Sequence, residues 1–237
     1  MAKYSSVTIN VPDIKKVYSY TSTQNFSTPS VKSGNVKLVQ NINSKYGSIF
    51  SYWGGIFEIP KGILIGFCAT ESAGTMASPN RYKATGLMQV TPSAIYECSN
   101  KWRSEVNSDL PIEALNLLKQ KVPNIFKGSL SSVQSTLLNL LQNDANFNIM
   151  SGTLVLRWLL ERFSTLLTGG QLNKAIIGYN SGAYNKTISN GTKANKFPTD
   201  TTSLYDNPKL NKESRNYLLK TLGIDGFYTI IYKDKAI

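Results

Sequence analysis

The 237-residue sequence predicts a mostly α fold with a minor β element. Three observations carry the prediction. Apolar residues recur at intervals of three and four through most of the chain, the spacing that lines one face of a helix. Strand-type patterning is confined to the ends, where Val7, Ile9 and Val11 alternate and Phe227–Tyr232 reads FYTIIY. Hydrophobic residues make up 41% of the chain, enough for a packed core.

Residues 1–34 are polar and rich in Ser, Thr and Asn, and read as a short strand at Val7–Val11 followed by an arm or loop. Asn35 to Ile59 has helical spacing, with Val36, Val39, Ile42, Tyr46, Phe50 and Trp53 on the repeat; Gly47 and Gly54-Gly55 are expected to break it into pieces. Pro60 suits a first helical position because it lacks the N–H that would be unpaired there. Ile63, Phe67 and Glu71 then fall four apart, with Leu64 and Cys68 beside them and Gly74 as the stop. Ser78–Thr85 is a loop of turn formers. Pro92 opens the next helix, with Ala94, Ile95 and Cys98 inward.

Residues 100–146 form a helical middle. Leu110–Leu118 and Val133–Leu141 are separated by breakers around Pro123 and Gly128, and the stretch reads as core helices or as an insertion. Asn148–Phe163 is the most periodic helix. Gly152 costs it about 1 kcal/mol relative to alanine, which predicts a tightly packed neighbour there. Leu172–Ala183 is a short helix turning at Gly182, residues 185–212 are a polar loop, and Glu213–Leu222 is a last helix. Phe227–Tyr232 is expected to pair with Val7–Val11 in a small sheet. The domain therefore spans 35–222, between an arm (1–34) and a strand or tail (223–237).

Net charge is +12, from 26 Lys+Arg against 14 Asp+Glu. Such a surface favours polyanions: nucleic acid, an anionic membrane face, or a bacterial wall with its carboxylates and phosphates. The charges are scattered, with no dense basic run, zinc-finger spacing or RNP-like aromatic motif, which argues against nucleic acid as the main ligand. No apolar run approaches the ~20 residues that span a bilayer. The N-terminus lacks the apolar core of a secretory signal, so delivery outside the cytoplasm is expected to need another carrier. There is no histidine, which excludes Ser-His-Asp and Cys-His catalysis and argues against a zinc site. No metal or cofactor is expected. Cys68 and Cys98 do not by themselves indicate a disulfide framework.

Glu71 ends an apolar helix. A carboxyl group there is expected to be partly desolvated and to face the negative end of the helix dipole, both of which raise its pKa. A glutamic acid kept protonated near neutral pH is what a glycosidase uses to protonate a leaving oxygen. An ordinary glutamate reaching water from a helix end would occupy the same position.

Five motifs occur in order: Glu71-Ser72; Gly86-Leu87-Met88-Gln89-Val90 with Pro92; Asn148-Ile149 with Gly152; Tyr179-Asn180-Ser181-Gly182; and Glu213-Ser214-Arg215-Asn216-Tyr217. Together they resemble the catalytic domain of soluble lytic transglycosylases, relatives of goose-type lysozyme, over roughly residues 35–222. The resemblance implies a lysozyme-like helical domain that cleaves the β-1,4 bond between N-acetylmuramic acid and N-acetylglucosamine in peptidoglycan glycan strands. It makes Glu71 the catalytic acid and Tyr217 the residue that orients it. It places Ser72, Asn80, Met88, Gln89, Asn148, Tyr179 and Asn180 at substrate-binding positions. Asn80 stands where the family usually has Ser, Thr91 where a second Met is common, and Val155 where a Tyr is usual. The interval from Gln89 to Asn148 is long for the family, which favours the insertion reading of 100–146.

The implied reaction needs one carboxyl group. Alternatives are a hydrolytic muramidase, with Asp109 or Asp144 positioning water, and a non-catalytic wall-binding virion component. A basic chain of this kind without a signal suggests a phage protein, carried in the virion or released at lysis, or a part of a secretion apparatus, acting at the bacterial wall or periplasm.

Overall fold

The computed structural model describes residues 32–106, 108–166, 171–182, 212–222, 226–232 and 236–237. The fold is mostly α, with nine helices among the described residues. These are α1 Lys32–Ile56, α2 Lys61–Ser72, α3 Pro92–Val106, α4 Ile112–Lys121, α5 Leu130–Asn143, α6 Ala145–Leu166, α7 Gln171–Ser181, α8 Lys212–Leu222 and α9 Phe227–Tyr232. The expected strand at Val7–Val11 and the polar loop at 185–212 lie outside the described residues, 212 apart.

Two compact units are present. Asn41–Trp158 forms the first; Leu159–Ile237, with the start of α1 up to Gln40, forms the second.

In the first unit α1 buries Ile42, Tyr46, Phe50 and Trp53 at intervals of three and four, the stripe expected from the sequence. The helix does not break at Gly47, because a single interior glycine costs only about 1 kcal/mol that packing elsewhere offsets. It ends just past Gly54-Gly55, where Ile59 N–H returns to Gly54 O at 2.8 Å. It also begins at Lys32, inside the stretch read as an arm.

Pro60 caps α2 rather than occupying its first turn; its carbonyl accepts from Ile63 N–H at 2.9 Å. Every residue from Gly62 to Thr70 is buried, so α2 is enclosed on all sides rather than along one stripe. Helix α3 packs on α5. It contributes Ile95, Cys98 and Trp102, and α5 contributes Val133, Leu137 and Leu141, one per turn. Asp144 caps α6 by accepting from Phe147 N–H at 3.0 Å.

In the second unit α8 packs against α7 and α9. Phe227–Tyr232 is the helix α9, not the expected strand. Ile230 N–H bonds Gly226 O at 3.2 Å, a helical i to i−4 link, and Phe227, Tyr228, Ile230 and Ile231 are buried. A six-residue apolar run is short enough that burial, not β propensity, decides its form. The only β feature among the described residues is an isolated bridge between Thr85 and Val90.

Candidate functional site

Glu71 and Ser72 are the first residues of α2 beyond its wholly buried stretch, and both are half-buried. The helix stops at Ala73, which adopts φ +51°, a left-handed conformation unusual for a residue with a Cβ. Ser72 Oγ donates to Leu87 O at 2.7 Å and to its own helix at Cys68 O, 3.2 Å. The end of the Glu71 helix is thereby fastened to the Gly86–Gln89 loop.

That loop is closed by paired backbone bonds. Thr85 N–H donates to Val90 O at 3.1 Å and Val90 N–H to Thr85 O at 3.2 Å. Gly86 (φ +76°) and Gln89 (φ +45°) both take left-handed conformations. Glutamine holds this conformation at a cost, of the kind that concentrates at functional sites. Its Nε2 donates to Gly86 O at 2.9 Å, and the residue is half-buried.

Asn148, near the start of α6, holds the loop in place. Its Oδ1 accepts from Met88 N–H at 2.9 Å; its Nδ2 donates to Thr85 O at 2.9 Å and Leu141 O at 2.7 Å. A Cβ on Gly86 would collide with this amide and with the Leu141 carbonyl, so glycine is required there for space as well as for backbone conformation. One turn further along α6, a Cβ on Gly152 would lie 2.5 Å from Met88 Cβ. The tight neighbour predicted for Gly152 is the Met88 side chain.

These contacts divide the residues expected to bind substrate. Asn148 and Met88 are fully buried, and the Ser72 hydroxyl is occupied by two carbonyls. All three build the loop; Met88 and Asn148 present no surface to a ligand, and Ser72 keeps part of its surface open. Asn80 is exposed, and its Oδ1 accepts from Tyr82 N–H at 2.8 Å and Ala84 N–H at 3.0 Å, folding the 78–85 loop on itself. Glu71, Ser72, Gln89 and Asn80 are the members of this set with surface open to solvent.

The second unit gathers the other two motifs. Asn180 Oδ1 accepts from Ser181 Oγ at 3.2 Å and from Ser214 Oγ at 3.3 Å, and the two serine hydroxyls bond each other. The end of α7 is thus joined to the first turn of α8 across 33 residues of sequence. Tyr179 and Asn180 are half-buried there, and Tyr217 is 9% exposed on α8.

Several roles were not read from the sequence. Thr91 Oγ1 accepts from Ala94 N–H at 3.1 Å and caps α3, a pairing that the Thr91-Pro92 dipeptide could have signalled. Asp144 is a helix cap that also pairs with Lys121 at 3.3 Å, and Asp109 pairs with Arg103 at 3.6 Å. Burial pushes the Cys68 thiol up to about 12, against the opposing bond to Ser72. Cys68 and Cys98 are both buried and are not joined in a disulfide. Among the described residues no cluster of His, Cys, Asp or Glu is placed to hold a metal, and no helix is long and apolar enough to cross a membrane.

No protein-family model matches this sequence, and no curated protein matches it.

Proposed function

We propose that the chain is a peptidoglycan lytic transglycosylase in which Glu71 is the single acid–base group. The observation that carries the reading is the Ser72–Leu87 bond. It joins the first two motifs of the resemblance, and it seats the half-buried Glu71 at the end of an enclosed helix beside a loop with a strained glutamine.

The chemistry runs in two steps. Glu71 protonates the glycosidic oxygen as the C1–O bond breaks, and the N-acetyl group of the muramic acid stabilises the developing oxocarbenium ion. The Glu71 carboxylate then takes the proton from the C6 hydroxyl of the same sugar as O6 attacks C1. A 1,6-anhydro ring forms, Glu71 regains its proton, and no water is consumed. A second carboxylate about 5–5.5 Å away, as in retaining glycosidases, is not required. Neither aspartate considered for a hydrolytic route supports one: Asp144 is engaged as a helix cap, and Asp109 lines a cleft to which Glu71 does not contribute.

Glu71→Gln tests the reading. The variant is expected to lose clearing of peptidoglycan sacculi by at least a factor of about a thousand while still co-sedimenting with them. Unchanged clearing would reject Glu71 as the acid. Tyr217→Phe and Tyr179→Phe test the remaining assignments made by the resemblance, through their separate effects on kcat and KM. A phage or secretion-machine setting is part of the same proposal, and it rests on the basic charge of the chain.

A further inference from the structure

The loop that leads from the Glu71 helix to the Gly86–Gln89 turn is closed at its base, where Gly86 N–H donates to Ala77 O at 2.8 Å. The Ser72–Leu87 bond is the next link along the chain, so the loop leaves from the edge of the candidate site. Its tip is tied by local bonds. Asn80 N–H donates to Ala84 O at 3.0 Å and Lys83 N–H to Asn80 O at 2.9 Å. Asn80 Oδ1 takes the N–H groups of Tyr82 and Ala84, and Thr85 Oγ1 donates to Lys83 O at 2.9 Å. A loop tied in this way presents its side chains at a reduced entropic cost of ordering.

Arg81, Tyr82 and Lys83 form the tip, and all three are exposed. Tyr82 is 68% exposed, the most exposed of the large hydrophobic side chains among the described residues. The Arg81 guanidinium lies over its ring, 4.6 Å from the centroid. Stacking engages the face of a guanidinium and leaves its in-plane N–H fork for a carboxylate. Among the described residues Arg103 and Arg157 each pair with a carboxylate, whereas Arg81 and Lys83 form no ion pair. Residues 73–92 contain no Asp or Glu, so the charge of the tip is not neutralised by its own segment. Arg81 is four residues from Ala77, which keeps the tip within about 14 Å of the loop base. One bound glycan strand can therefore touch both the tip and the Glu71 site.

We infer that Arg81, held by Tyr82, binds a carboxylate of a muramic acid-containing strand and so selects acidic wall glycan over neutral glycan. The carboxylate belongs either to the lactyl group of the sugar or to its peptide stem. The inference rests on the reading of the Glu71 site as a glycan cleft. Arg81 acts on binding alone and takes no part in the proton transfers.

The experiment is calorimetric titration of the full-length Glu71→Gln variant, which holds strands without cleaving them, at physiological ionic strength. Three probes are compared: chitohexaose, which has no carboxylate; stem-free strands, which carry the lactyl carboxylate; and uncrosslinked stem-bearing strands, whose carboxylates are on the peptide. At least one of the two acidic strands should bind about fivefold more tightly than chitohexaose, and the one that does identifies the carboxylate. Adding Arg81→Gln should erase that preference, and adding Tyr82→Ala should reduce it about twofold. Adding Lys127→Gln, which removes an exposed charge from the α4–α5 connection, should leave it unchanged. Equal affinity for all three probes, an unchanged preference in the Arg81 or Tyr82 variant, or an equal loss in the Lys127 variant would overturn the inference and leave the glycan reading standing. No binding of any probe would overturn both. Tighter binding of oligothymidylate through Arg81 and Tyr82 would overturn the inference in favour of nucleic acid.

Discussion

The Ser72 hydroxyl donates to the Leu87 carbonyl at 2.7 Å and joins two motifs that stand fifteen residues apart. The intervening loop folds on its own hydrogen bonds through Asn80, so the contact is made by the two ends of a preformed turn rather than by a slack connection. Any chemistry assigned to Glu71 depends on this bond, because the carboxyl group is one residue from it.

Ser72→Ala leaves the Leu87 carbonyl without that donor. An unmet partly buried acceptor costs about 1–2 kcal/mol, and urea unfolding should show a loss of that size. On the proposed activity, kcat should fall further than KM rises. A variant as stable as the parent would mean that the loop is held without Ser72.

Asn148→Asp preserves shape and keeps the acceptor for Met88 N–H. It also replaces a donor with an acceptor facing the Thr85 and Leu141 carbonyls, in a fully buried position. The expected loss is about 3 kcal/mol or more, read from the urea midpoint. A near-neutral effect would show that the amide is not the hub of the loop.

Gly152→Ala sets two effects against each other. Helix propensity alone favours alanine by about 1 kcal/mol. The new methyl would meet Met88 Cβ at 2.5 Å, however, and overpacking of this kind costs about 1–3 kcal/mol. Net destabilisation in thermal unfolding is expected; net stabilisation would mean that the Met88 backbone yields freely.

How much of this was legible in the sequence follows from which interactions are local. The helices at 61–72, 92–106 and 145–166 could be read because periodicity, and for the first two a Pro start signal, act within a few residues. Phe227–Tyr232 was misread because a six-residue apolar run carries no decisive period, and its packing on α8 is a tertiary fact. Glu71 and Gln89 were legible as motif residues. That Met88 and Asn148 are buried framework of the loop was not, because the Asn148 hydrogen bonds reach across about 60 residues of chain.

Alkaline stability should follow the Cys68 thiol. Burial raises its pKa from 9.0 in the unfolded chain to about 12 in the fold. The folded state therefore holds the proton more tightly. The contribution is complete below pH 9 and is lost as pH rises from 9 towards 12. Burial raises the Tyr228 hydroxyl from 10.0 in the same direction, so it adds to the loss above pH 10. Urea midpoints should fall over this window, and Cys68→Ala should flatten the fall. A flat profile from pH 9 to 12 in the parent chain would contradict the assignment. Cys68 should also resist thiol reagents near neutral pH until the chain unfolds.

In the proposed reaction one carboxyl group, Glu71, cleaves glycan strands without water. Mass spectrometry of the soluble fragments released from peptidoglycan sacculi tests it most directly. The expected fragments end in 1,6-anhydro-muramic acid, one water lighter than hydrolysis products. Reducing-end fragments would contradict the single-carboxylate mechanism, and no fragments from folded protein would contradict the proposed activity itself.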